Sequence, residues 1–274
     1  MRTDYIPSEF SSLALGEKTE LDAGILNVNV IELVRQAEHT DGDEVFRRIN
    51  HMLAQCMPLI EKKGIVMDFR SSGVLSLFPD HPQEALSVAL DVFTEIEQLP
   101  EDERQYYKRL SVALCYGSVT VGMVGYGDRL APLIRSPHVT LCGMLQQKAA
   151  DYFTRIFVTE TYLSQVPGAK EKYNHRMLGV VYLSHVRKKE IVYDIFEGDE
   201  PEIRNIKRRT RNMFEKGVEL FLVHRFADAR GYFLEVIRTD RRDLAAKEYL
   251  IRCDAFIHGE ADGQDPAAIY LEVL

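Results

Sequence analysis

Gly117, Gly122 and Gly125, in the run Gly117-Ser-Val-Thr-Val-Gly122-Met-Val-Gly125-Tyr-Gly-Asp-Arg129, come nearest to a chemical signature by type and spacing. The β-branched residues between them predict two short strands around a glycine-marked turn, where the backbone can approach a ligand or a neighbouring element closely. Familiar metal and nucleophile constellations are missing. Cys56, Cys115, Cys142 and Cys253 lie far apart with no CxxC pair, and none of the eight histidines falls in an HxH or HExxH pattern. No metal site and no cofactor is therefore expected. Cys115 and Cys142 sit in apolar stretches and read as small buried hydrophobes in a reducing compartment.

The elements that must position any site follow from periodicity. Gly24 to Leu33 alternates apolar and polar residues and predicts a strand, whereas Asp43 to Lys62 repeats its apolar residues at helical spacing up to Gly64. Ile65 to Phe69 and Val74 to Phe78 predict a hairpin turned at Ser71-Ser72-Gly73, and Pro82 to Leu99 an amphipathic helix. Leu110 to Tyr116 and Val119 to Val124 are expected as the strands of the glycine run, followed by a helix over Val139 to Phe153 and a strand over Ile156 to Thr159. Val180 to Val186 and Glu190 to Phe196 close the pattern as a strand pair, giving an α+β domain with a mixed or antiparallel sheet under covering helices. Beyond Gly198-Asp-Glu-Pro201 the strand signal ends. Three helices are predicted there, over Ile203 to Leu222, Phe226 to Arg238 and Arg242 to His258.

The chain has 274 residues, 46% of them hydrophobic and 28% charged, with a net charge of −8, so bulk attraction to nucleic acid or an anionic membrane is not expected. The start lacks a long apolar run, and no stretch approaches the ~20 apolar residues that span a bilayer, which points to the cytoplasm. The basic run Arg204, Lys207, Arg208, Arg209, Arg211 and Lys216 reads as the solvated face of a helix.

Taken together these segments resemble the catalytic domain of the class III nucleotidyl cyclases. The resemblance is carried by the GxxxxGxxG run with its following Arg129, by Gly64-Ile-Val-Met-Asp68 through Ser72-Gly-Val-Leu-Ser-Leu-Phe78, by His138-Val-Thr-Leu-Cys-Gly-Met-Leu145, and by Lys189-Glu-Ile-Val-Tyr-Asp-Ile-Phe196. It covers Gly24 to Glu197 and implies a ferredoxin-like cyclase domain. It also implies the family's machinery: two metal-binding aspartates, a Lys and Asp pair that reads the purine, an Asn that orients the nucleotide and an Arg that stabilises the transition state. Transferred by motif, the metal positions fall on Asn29 and Ser72, the purine-reading pair on Asp68 and Leu133, the orienting position on Thr140 and the arginine on Met144. None of these supplies the required group, since Mg²⁺ needs anionic oxygens and a methionine cannot donate a hydrogen bond. Arg70 and Arg135 adjoin these positions and are the candidates for holding an anion in a residual cleft.

The resemblance further implies a dimer with each active site at the subunit interface. The expectation is thus a silent, dimeric module, with residual cyclase activity or small-molecule sensing as the alternatives. Residues 1–20 form an N-terminal segment, 21–200 the cyclase-like domain, 201–260 a helical extension and 261–274 a tail. In the extension, Gly217, Phe226, Ala229 and Phe233 match the spacing of one tetratricopeptide repeat, which cannot bury its own apolar face and is expected to dock on the domain, a second copy or a protein partner.

Overall fold

The computed structural model describes residues 6–29, 42–70, 73–127, 129–183, 188–259 and 268–269. The chain divides into two compact units, Met1–Gln146 and Gln147–Leu274.

The first unit is built on strands β1 (Lys18–Asn29), β2 (Ile65–Arg70), β3 (Gly73–Phe78), β4 (Ser111–Tyr126) and β5 (Arg129–Arg135), in the order β2-β3-β1-β4, with β5 paired to β4. Every pairing among them is antiparallel. Strand β1 is flanked by β3 and β4, and its stretch Ala23 to Val28 is accordingly apolar and buried apart from Asn27. The helices are α1 (Gly42–Glu61), α2 (Gln83–Gln98), the single turn α3 (Glu101–Arg104) and α4 (Pro137–Lys148). Helix α2 buries Ala85, Leu86, Val88, Ala89, Val92, Phe93 and Ile96, the face its periodicity prescribes.

Strand β4 corrects the reading of the glycine run. It runs unbroken through Gly117, so the expected turn there does not exist. A Cβ on Gly117 would lie 2.2 Å from the His138 ring of α4, and the glycine therefore serves as the seat of a helix. The real turn comes at Gly127, with φ +60°, and leads into β5, a strand that periodicity does not reveal. Its Pro132 lacks a donor and is tolerated because β5 pairs with β4 along one side alone. Strand β1 also starts six residues before the expected Gly24, because Lys18 to Asp22 pair with Ser118 to Gly122 while facing no core. The expected continuation to Leu33 lies outside the described residues.

The second unit carries β6 (Ile156–Thr159), β7 (His175–Leu183), β8 (Lys188–Ile195) and β9 (Ala268–Ile269) in the order β6-β8-β7-β9, with β9 parallel to β7. Strand β7 begins five residues before the expected Val180, and α4 ends at Lys148 rather than Phe153. After the short helices α5 (Glu160–Leu163) and α6 (Ala169–Lys172) come α7 (Pro201–Leu222), α8 (Phe226–Thr239) and α9 (Leu244–His258). A Cβ on Gly217 of α7 would stand 2.8 Å from the Phe233 ring of α8, and Phe233 stacks on Tyr249 of α9 at 4.8 Å between centroids. Tyr249 donates its hydroxyl hydrogen to the Leu178 carbonyl of β7 at 2.6 Å, tying the helices to the strands.

A buried ion cluster strengthens that tie. Arg176 of β7, fully buried, donates to Asp194 of β8 (3.1 Å) and to Asp243 at the start of α9 (2.5 Å), and its guanidinium lies 4.3 Å over the Phe214 ring. Lys207 of α7 donates to Asp194 at 2.8 Å and stands 2.6 Å from Asp199 without hydrogen-bond alignment. Burial pushes the Asp199 carboxyl up, against the pull of Lys207. The basic run is a solvated face only in part: Arg208, Arg209 and Lys216 are exposed, whereas Lys207 is 3% exposed, Arg204 binds Glu197 and the Asp199 carbonyl, and Arg211 binds Glu215.

His175, at the head of β7, is neutral by construction. Its Nδ1 faces the Tyr173 carbonyl at 3.0 Å and so carries the proton, while Nε2 accepts from Arg211 at 3.0 Å. Burial first, then the Arg211 charge and the more distant Lys170, hold its pKa below the ordinary 6.5, with the Tyr173 carbonyl and Glu215 opposing. A depressed folded-state pKa means that its contribution to stability is complete above about pH 6.5 and is lost as pH falls through the folded value. Urea midpoints measured between about pH 7.5 and 5 should therefore fall with pH, and His175→Gln should flatten that slope.

Candidate functional site

Asn29 closes β1, 2% exposed, with Gly73 of β3 on one side and Ser111 of β4 on the other. Its side chain is engaged within the fold. Gly73 adopts φ +150°, and a Cβ there would lie 2.0 Å from the Val28 carbonyl oxygen, so the β2–β3 hairpin presses directly onto the end of β1. Asp68 sits half-buried on β2, just past a register shift between Val66 and Asp68 that places it opposite Leu75. It too is engaged with other groups. Ser72 lies outside the described residues, as does the side chain of Arg70.

Helix α4 supplies the other wall. Ser136 organises its start, donating from Oγ to the Ser118 carbonyl (2.7 Å) and accepting from the His138 amide (3.1 Å). Thr140, exposed, donates its hydroxyl hydrogen to the Ser136 carbonyl at 3.3 Å, and the half-buried Met144 follows one turn later on the same face. Asn27 of β1, a residue that sequence reasoning passed over, lies close both to the β2–β3 hairpin and to α4. Its Oδ1 lies 3.4 Å from where a Cβ on Gly73 would be, and its Nδ2 lies 3.7 Å from the same point on Gly143 of α4. The pattern Leu26-Asn-Val-Asn contained the signal, because residues two apart on a strand share a face.

Leu133 and Arg135 do not join this group within one chain. They share the exposed face of β5, opposite Gly122 and Thr120 of β4. Asn29 pairs with Ser111, eleven residues back along β4 from Gly122, a separation of roughly 35 Å at strand rise. Along β4 these positions therefore fall into two separate groups.

The group around the end of β1 holds two neutral amides and one acid. Asn27 and Asn29 offer amide oxygens, and Asp68 is the carboxylate in the β2–β3 hairpin. Among the described residues no three His, Cys, Asp or Glu side chains come together in a way that could hold a metal ion. A pair of divalent ions would meet amides where it needs anionic oxygens, so the residues present do not fit the metal pair that the resemblance implies.

No protein-family model matches the chain. Its sequence is similar to the terminal-differentiation specific adenylate cyclase of Dictyostelium discoideum, 20% identical over 257 residues, spanning 90% of this chain but 12% of that protein. Among solved structures it superposes on a bacterial light-regulated adenylyl cyclase with a TM-score of 0.60 at 17% identity, covering 75% of this chain and 63% of that one. The adenylyl cyclase CyaB from P. aeruginosa gives a TM-score of 0.53 at 16% identity, covering 65% of this chain and 95% of that one. The chain carries the fold of the class III cyclase catalytic domain, followed by a helical C-terminal region.

Proposed function

We propose that this chain is a catalytically silent cyclase-fold protein, a regulatory or scaffolding module that pairs with a second copy of itself and offers its helical extension to a protein partner. The observation that carries the reading is Asn29, a neutral amide 2% exposed at the place where the resemblance puts a metal-binding carboxylate. Met144 and Leu133 add to it, because neither can neutralise a phosphate or accept from a purine. Loss of a single transition-state donor costs about 10²–10³ in rate, and here the metal ligands and the arginine position are lost together.

Pairing with a second copy is supported by β5. Leu130, Ala131, Leu133 and Ile134 are apolar, yet no residue of the strand is buried, and Val124, Tyr126 and Leu133 are 43%, 92% and 56% exposed. An apolar ribbon of this kind marks an interaction surface, and two-fold pairing is the commonest way to cover one. We assign residues 21–200 to the cyclase-like domain and 201–260 to the extension, whose Gly217–Phe233 contact supports a tetratricopeptide-like hairpin. The four free, buried cysteines favour a reducing compartment, and the cytoplasm is the simplest. No helix among the described residues is long and apolar enough to cross a membrane.

Incubating the chain with ATP or GTP and Mn²⁺, followed by mass spectrometry, tests the central reading. No cyclic nucleotide above the protein-free control is expected. Turnover that scales with protein concentration would make the chain an enzyme.

A further inference from the structure

Between α1 and the segment 102–107 the first unit holds an open cleft of about 340 Å³, lined by none of the candidate site residues. That is the size of the smaller small-molecule sites. Glu44, Arg47, Arg48 and His51 line the α1 wall, the largely exposed Arg47 being paired to Glu44, and Asp102, Glu103, Tyr106 and Tyr107 form the opposite one. The guanidinium of Arg48 lies 3.4 Å over the Tyr106 ring and donates from Nε to Glu44 Oε1 at 2.7 Å. Its side chain is 13% exposed, and its two terminal nitrogens hold no hydrogen bond among the described residues. Stacking and the Nε bond therefore fix a planar two-point donor in advance, so a ligand that uses it loses little further entropy.

The facing wall carries the opposite charge. Glu103 Oε2 stands 4.0 Å from His51 Nδ1, which also lies 2.8 Å from the Tyr107 hydroxyl. Burial, with Glu103 adding to it, pushes that phenol up to about 12, so it stays protonated and uncharged beside the imidazole. Asp102 adds a second carboxylate at the rim. A simple anion entering the cleft would meet these acids, and a simple cation would meet Arg48.

We propose that the cleft binds a small zwitterion of the amino-acid class, its carboxylate in a two-point bond with the Arg48 fork and its ammonium against Glu103. The site is independent of the cyclase reading and would persist if that reading failed.

Calorimetry and thermal shift on the full chain test it. The probes are glycine, L-phenylalanine, L-glutamate and L-arginine, each alongside its N-acetyl form, which lacks the ammonium, and its amide, which lacks the carboxylate. At least one free amino acid should bind, with both blocked forms weakened about tenfold or more. Arg48→Lys, which keeps the charge and loses the fork, should weaken binding by a similar factor, and so should the half-exposed Glu103→Gln, which leaves the stack intact. The proposal is overturned if no free amino acid binds at about 10 mM, if blocked forms bind as tightly as free ones, or if neither variant alters affinity.

Discussion

Arg176→Met should cost the protein about 3–5 kcal/mol and collapse the second unit before the first. The side chain is fully buried and bonds two carboxylates, Asp194 and Asp243, which sit at 0% and 4% exposure. Methionine replaces the apolar stem but not the guanidinium, and leaves those acids with Lys207 as the remaining buried cation. Asp243 would suffer twice, because it also caps α9 by accepting from the Ala246 amide at 3.0 Å. Urea unfolding gives the magnitude, and hydrogen exchange gives the location: amides of β7 and α9 should lose protection ahead of those of β1 and β4. A second substitution, Asp243→Asn, should recover part of the loss, because Asp194 keeps Lys207 whereas Asp243 is the acid left unpaired, and asparagine can still cap α9. Equal stability of Arg176→Met and the parent chain would contradict the cluster's role.

The second large effect concerns assembly. Sedimentation of the parent chain at tens of micromolar should show a dimer, and Val124→Glu with Leu133→Glu should shift it to monomer by at least a hundredfold in dissociation constant. Both residues are exposed on the β4–β5 ribbon, so the substitutions bury no charge in the free chain and should leave its melting temperature within a few degrees. In a two-fold dimer each substitution counts twice, since the same patch meets its copy, and several kcal/mol of desolvation oppose pairing. A parent chain that stays monomeric, or a variant that dimerises equally well, would remove the ribbon from the interface.

How much of this was legible beforehand varied with the physics behind each element. Helices α7, α8 and α9 were readable nearly to the residue. Their 3.6-residue periodicity carries punctuation: Pro201 at the first turn of α7, Asp243 as the cap of α9, and Gly259 in the left-handed conformation at its end. Strand β6 was equally plain, four apolar and β-branched residues all buried. Strand β4 was split in the reading because Gly117 has two meanings locally, a turn or a seat. What decides between them is His138, twenty-one residues away in sequence. Strand β5 was missed because its faces are exposed and half-buried in turn rather than exposed and buried, and Leu130-Ala-Pro-Leu-Ile134 carries no polar–apolar alternation to detect. The buried ion cluster could not be read at all: Arg176 and Asp243 are 67 residues apart, and Lys207 looks like any other member of a basic helix face.

The candidate site was legible through family resemblance alone, and in part. The motif order singled out Asn29, Asp68, Thr140 and Met144, whereas composition and spacing by themselves reported an absence of metal and nucleophile patterns. Asn27 was overlooked because attention rested on one aligned position rather than on the strand face that it shares with Asn29. The separation of Leu133 and Arg135 from Asn29 along β4 also needed the strand register.

The most direct measurement is electron paramagnetic resonance of Mn²⁺ with a non-hydrolysable ATP analogue, recorded with and without the full chain. If the amides at the end of β1 cannot anchor divalent ions, the spectrum of the manganese–nucleotide complex will be the same in both. Two manganese ions bound per site, at stoichiometric protein, would contradict the reading at its root.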